Sequence, residues 1–206
     1  MVRQVCLTIV IAMSSNVIAA EKRQQIVETA YRLFKREGFH ATGIDRIIAE
    51  ADVAKMTMYR HFPSKDGLIV EVLEWRAQRF ERQLDQLAEA AMTPKQKIAT
   101  IFDWYERWFA SPDFHGCLFQ HAIAEFGDPD HPVFNAASRQ KADLKQRMRR
   151  ILEEVMPKAR AESTASALLM LIEGSTLLAR MGRGEAAIRD ARRAALGLLA
   201  TAAGPQ

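Results

Sequence analysis

An all-α fold is the expectation, and three observations carry it. From Ala20 onward apolar residues recur at helical spacing, no segment alternates with the two-residue period of a strand, and no internal repeat is present. Proline, glycine and small polar residues punctuate the chain at helix-length intervals. The pattern predicts nine helices, three short ones in an N-terminal unit and six in a larger body.

Helix one is expected from about Lys22 to Glu37, with Ile26, Ala30, Leu33 and Phe34 on one face. Gly38 suits the left-handed residue that closes a helix, and Phe39 can fold back on the apolar face. Thr42 is read as the cap of helix two, with Asp45 returning a hydrogen bond as in a capping box. Ile44, Ile47, Ile48 and Ala51 give that helix an inward side. A turn over 51–54 leads into helix three, about Ala54 to His61, which Pro63 stops. Ser64 caps a long helix four reaching towards Ala91.

Thr93-Pro94-Lys95-Gln96 combines an N-cap, a first-turn proline and a capping-box glutamine, opening a helix that ends near Ser111-Pro112. Further helices are expected over about 116–126, 132–155, 159–181 and 185–201, the last two parted by Gly182-Arg183-Gly184. The domain reading is an N-terminal extension over 1–19, a small unit over 20–66 whose last helix begins at 64 and links onward, and a body over 67–203.

Composition bounds the function only loosely. The 206 residues are 49% hydrophobic and 26% charged, with a formal charge of +4, so charge alone does not identify a nucleic-acid binder. Two cysteines, Cys6 and Cys117, make no disulfide framework and fit a reducing cytosol. No uninterrupted apolar run is long enough to span a bilayer, so no membrane partner is expected. Arg3, the apolar stretch from Val5 to Met13 and Val17-Ile18-Ala19 mimic a secretory signal. The rest of the chain argues for a start at Met13 and a disordered polar tail instead.

The sharpest functional pattern lies between Thr42 and Phe62. Two short helices joined by a tight turn, packed on a preceding helix, form a helix-turn-helix, which reads duplex DNA with its second helix. Met58 and Phe62 fall four apart and anchor the inward side of helix three, which turns Met56 and Arg60 outward, flanked by Thr57 and Tyr59. Arg60 can bond guanine or a phosphate, Thr57 a base edge, and Met56 a thymine methyl. Tyr59 and His61 suit phosphates, while Lys55 and Lys65 bracket the helix, Lys65 at the amide end of helix four. Thr42, Arg46 and Ala54 complete the expected DNA-contact set. Nine basic and six acidic residues between Lys22 and Asp66 concentrate positive charge there, and no carboxylate falls between Val53 and Lys65.

These residues resemble a known family. Ala30-x-x-Leu33-Phe34, Gly38-Phe39-x-Ala41-Thr42, Ile47, Ala51-x-Val53 and Thr57-x-Tyr59-x-His61-Phe62-Pro63-Ser64-Lys65 closely resemble the N-terminal domain of TetR-type transcriptional regulators. The resemblance implies a cytoplasmic homodimer, usually a repressor, whose C-terminal domain binds a small molecule that releases a pseudo-palindromic operator. Two departures stand out. The family usually has glycine where this chain has Asp52, and glycine is common where Met56 stands. Aspartate tolerates a left-handed backbone, so the turn is expected to survive. Met56 points at the groove, so operator preference cannot be carried over from relatives.

In the body, aromatic residues crowd the stretch 102–126. Most suit a core, while Trp104, Trp108, Phe109 and Phe119, with Cys117, His121, Met170 and Glu173, are candidates to line a pocket for a small apolar or amphipathic effector. Glu173 can meet a polar group of that effector, pair with an arginine across a dimer interface or sit on a solvated rim. Ala165, Ala167, Gly174, Ser175, Ala179, Ala187, Ala191, Ala194, Ala195 and Gly197 let the last two helices approach closely, either in a four-helix homodimer interface or within one subunit.

Catalysis is the rival class. His115, Cys117 and His121 lie close in sequence, but no third orienting group accompanies them and their spacing matches no metal-ligand pattern. Neither an enzyme nor a cofactor or metal is therefore expected. Control by oxidation of Cys117, or by a protein partner in place of a ligand, are the alternatives to effector gating.

Overall fold

The computed structural model describes residues 2–89 and 93–200, with side chains from Ala19 onward. Cys6 and the end of the expected body at 203 lie outside the described side chains. Nine α-helices occur among the described residues, and none of those residues is in a strand. The chain divides into two units, residues 1–75 and 76–206, a boundary inside helix α4 and later than the expected 66/67.

The first unit holds α1 (Val2–Glu37), α2 (Ile44–Glu50), α3 (Lys55–His61) and the start of α4 (Lys65–Glu89). α1 begins far ahead of the expected Lys22 and runs through the segment read as a disordered tail. No proline or glycine interrupts residues 2–37, so nothing local forces a break. Gly38 closes α1 at φ 88°, and Phe39 returns to lie 5.0 Å from the Phe34 ring, as its sequence signal indicates. Ile26, Ala30, Leu33, Phe34, Ile47 and Met58 are all buried. Gln25 donates to the Ala51 carbonyl at 2.8 Å and so ties α1 to the end of α2.

Thr42 corrects one reading. The N-cap of α2 is Gly43, with no side-chain cap bond, and Asp45 pairs with Lys55 at 3.3 Å. Thr42 is fully buried, and its hydroxyl donates to the Gly38 carbonyl at 2.8 Å. It therefore satisfies the end of α1 and not the start of α2.

The second unit holds the remainder of α4, then α5 (Pro94–Phe109), α6 (Leu118–Phe126), α7 (Pro132–Leu152), α8 (Lys158–Leu178) and α9 (Gly184–Ala200). The Thr93 capping box forms with both reciprocal bonds, and Pro94 occupies the first turn. α7 packs on α6 and α8, and α9 on α5 and α8. Their shared core includes Ile98, Phe102, Leu144, Met148, Leu168 and Ala195. A π-helical turn over Ala179–Arg183 joins α8 to α9, and Gly182 bends the chain there at φ 81°.

The small residues of α8 and α9 divide between the two sides of the helices. Ala165, Ser175, Ala179, Ala187, Ala191 and Ala195 are buried within the unit. Gly174, Ala194 and Gly197 are exposed, together with Met170, Leu177, Leu178, Met181 and Leu198. By length and composition Lys158–Ala200 is apolar enough to cross a membrane, although Glu173 and Arg180 interrupt its apolar run. Its buried side packs in the helical core just described.

Candidate nucleic-acid interface and effector site

α3 is short, so a few packed residues decide which way it faces. Ala54 is its N-cap, and Met58, with no exposed surface, and Phe62, at 3%, point inward. The Arg23 guanidinium lies 5.1 Å from the Phe62 ring centroid, and the same arginine pairs with Glu71 at 2.6 Å. With that side held, Met56 projects outward at 83% exposure, and Tyr59 and Arg60 are exposed beside it. Arg60 forms no hydrogen bond or ion pair among the described residues. Asp52 adopts φ 47° and so makes the left-handed turn in the place of glycine.

The other expected contacts divide by environment. Thr57 is half-buried and Ala54 exposed. Lys55 is engaged by Asp45, and Lys65 donates to the His40 carbonyl at the long distance of 3.5 Å. Arg46 is clasped by Glu37 at 2.5 Å and Glu50 at 3.1 Å, pairs it must loosen to reach any phosphate. Burial, then the Arg60 and Arg23 charges, hold the His61 imidazole below its usual range, and its buried Nε2 has no hydrogen-bond partner among the described residues. The Thr42 side chain is sealed inside and is withdrawn from the contact set.

The expected effector residues separate into groups. Trp104, Trp108, Phe109 and Phe114 form a half-buried chain of tilted and edge-on rings, with centroids 4.9–5.7 Å apart. Cys117, Phe119 and Glu173 gather instead around Lys141, which the sequence reading did not single out. Its Nζ donates to Glu173 Oε1 at 2.8 Å and to Cys117 Sγ at 3.3 Å, and lies 5.7 Å from the Phe119 ring centroid. Gln120 donates to Glu173 Oε2 at 2.8 Å and to its carbonyl at 3.1 Å. Glu173 thus has an intrachain lysine partner. Met170 is 68% exposed and belongs to the outer face of α8, not to an interior pocket.

His115, Cys117 and His121 do not converge. His115 bonds the Asp113 carbonyl at 3.1 Å, Cys117 meets Lys141, and His121 meets Arg180. Among the described residues no group of three or more His, Cys, Asp or Glu is arranged to hold a metal ion.

Comparison with known proteins follows the same division of the chain. Residues 26–72 match "Bacterial regulatory proteins, tetR family", and residues 94–195 match "Tetracyclin repressor-like, C-terminal domain". The chain belongs to the TetR family of DNA-binding transcriptional regulators. The regulator is 23% identical over 184 residues to the HTH-type transcriptional regulator YjdC of Escherichia coli (strain K12), covering 86% of this chain and 93% of YjdC. It is 33% identical over 78 residues to the HTH-type transcriptional repressor KstR of Mycolicibacterium smegmatis, 38% of each chain. The crystal structure of SCO4454, a TetR-family transcriptional regulator from Streptomyces coelicolor, superposes with a TM-score of 0.84 at 28% identity, covering 90% of this chain and 97% of SCO4454.

Lys141 escaped the sequence reading because nothing local marks it. It lies 24 residues from Cys117 and 32 from Glu173, in a helix rich in exposed charge. His121 supplies a test of this part of the TetR-family regulator. Burial first, and then Arg180, lower its pKa from the ordinary 6.5, while Glu125 opposes them. The unfolded chain binds that proton more readily, so the contribution is complete above about pH 6.5 and is lost as pH falls through the folded value. Denaturant midpoints read through Trp104 and Trp108 in a Trp75→Phe background should fall on acidification below about pH 6.5. Replacing His121 with Gln should flatten that fall, and an unchanged slope would remove His121 as its source.

Proposed function

We propose that the chain is a cytoplasmic homodimeric repressor that reads a pseudo-palindromic operator with α3 and leaves it when a small effector binds the second unit. The observation that carries the reading is Met56, 83% exposed beside Arg60, on a helix whose opposite side is held by buried Met58. A long apolar side chain turned to water beside an unpaired arginine suits a groove containing thymine methyls and guanine edges. One seven-residue reading helix offers few contacts, so two symmetric copies spaced by whole DNA turns are needed for tight binding. The outer faces of α8 and α9, with Met170, Leu177, Leu178, Met181 and Leu198 exposed, support their assignment as the dimer face. Repression is named for the KstR relative and is carried here as part of the proposal.

Binding-site selection with the purified chain, followed by footprinting, tests this reading. Two inverted half-sites are expected, and a single unrepeated half-site would overturn the dimer. Arg60→Ala and Met56→Ala should change which operators are preferred, the arginine by about 1–3 kcal/mol against its own base. Tyr59→Ala and Lys65→Ala should weaken all duplexes alike, with a shallower salt dependence. Equal losses on every sequence for all four variants would sink that division.

For release, the effector must bind a dimer with wrongly spaced reading heads more tightly than it binds the operator-competent one. The half-buried rings from Trp104 to Phe114 support an apolar or amphipathic effector. We assign the coupling to α4, whose residues belong to both units. Thiol control is the second reading, favoured by Lys141 Nζ at 3.3 Å from Cys117 Sγ. Alkylation that abolishes operator binding in the wild type but not in Cys117→Ser would support it, and a loss unchanged by that substitution would eliminate it.

A further inference from the structure

One flank of α3 borders a groove of 720 Å³ whose other walls come from α1 and the turn before α3. Thr57, Arg60 and His61 are spaced three and four apart, so they share that flank, and Arg60 also borders the outward face. Ala19, Val53 and Ala54 supply apolar lining, and Lys22 brings a second cation from α1. Lys22 donates to the neutral Gln25 side chain at 3.1 Å, and among the described residues neither its charge nor that of Arg60 is cancelled by an ion pair. Asp52 also lines the groove, one carboxylate against two cations. His61 adds no full charge near neutral pH, since burial and the nearby arginines keep its imidazole below the usual range.

A surface that alternates small apolar groups with uncancelled cations is complementary to a strand of DNA, in which apolar deoxyribose alternates with anionic phosphate. We propose that this groove seats the sugar–phosphate backbone of the operator beside the recognition helix, making Lys22 of α1 a phosphate contact. The proposal rests on the DNA-binding reading and extends its footprint from α3 to α1. Such a contact positions the protein and carries no base preference, which separates Lys22 from Met56 and Arg60 in any assay that varies sequence.

The test uses the full chain, the duplex recovered by binding-site selection and a mixed-sequence duplex, each titrated over a range of salt. Lys22→Ala should weaken both duplexes by the same factor and reduce the slope of log K against log salt by about one, while Lys22→Arg keeps both. Ala19→Glu, which places a carboxylate in the groove on an otherwise unchanged helix, should weaken both duplexes further. Thermal melting confirms that each variant is folded. Wild-type affinity and slope in both Lys22→Ala and Ala19→Glu would overturn the proposal, as would a change in the selected sequence for Lys22→Ala. If the wild type binds neither duplex, the DNA-binding reading itself falls. If it binds and Arg60→Ala alters preference while both groove variants are silent, only the groove assignment falls.

Discussion

Replacing Glu173 by Leu is expected to destabilise the second unit by about 3 kcal/mol, because it strands the Lys141 ammonium in the protein interior. The two side chains are only 13% and 26% exposed, so solvent compensates little for the lost 2.8 Å bond. Burial alone pulls the Lys141 pKa down, yet Cys117 and Glu173 outweigh it and hold the lysine above its ordinary 10.5. Without Glu173 burial pulls the lysine back down, so the interior holds either an uncompensated ammonium or a lysine forced neutral, and each is costly. Gln120 loses one acceptor as well and keeps the Glu173 carbonyl. Adding Lys141→Met should return stability to within about 1 kcal/mol of wild type, since a buried pair replaced together by apolar groups costs little. Denaturant midpoints for the two singles and the double decide the matter. A double variant as unstable as Glu173→Leu would show that shape, and not charge, is responsible.

Phe62→Ala is expected to cost the first unit about 3–5 kcal/mol and to abolish operator binding under conditions where Arg60→Ala still binds. The ring is 3% exposed, receives the Arg23 guanidinium on its face, and ends α3 just before Pro63. Removing it deletes one of the two residues that hold the inner side of a seven-residue helix, so the outward set loses its orientation together with the lost burial. Trp75, edge-on to Tyr31 at 5.2 Å, reports on this unit. Its unfolding midpoint should fall sharply in Phe62→Ala and much less in Phe62→Leu. An unshifted midpoint with intact DNA binding would show that Met58 alone orients the helix.

The parts of this protein that were legible in sequence are those decided within a few residues. The Thr93 box, Pro94, Gly38 and the Ser64 hydroxyl that accepts from the Gly67 amide at 3.0 Å are all local solutions to unpaired helix-end groups. The Met58–Phe62 pair is of the same kind, because a four-residue spacing on one helix sets which side chains face out. Asp52 also belongs here: its left-handed φ follows from the turn and from the tolerance of aspartate for that region.

Choices among several possible partners, near or far in sequence, were settled by tertiary structure. Thr42 had a plausible duty at the start of α2, yet the nearest unsatisfied group in space was the Gly38 carbonyl. Arg46 looked free for DNA until Glu37 and Glu50 closed on it. α8 is apolar around much of its circumference, so periodicity could not say that Ile172 lies inside and Met170 outside. Glu173 found Lys141 across 32 residues, and Lys22 reached the flank of α3 across 38. Sequence by itself determined most of the helices, the caps at Ser64 and Thr93 and the outward face of α3, because hydrogen bonding and side-chain direction within a helix act over three or four residues. Packing of separate helices decided which charges are spent on each other and which, like Lys22 and Arg60, form no ion pair among the described residues.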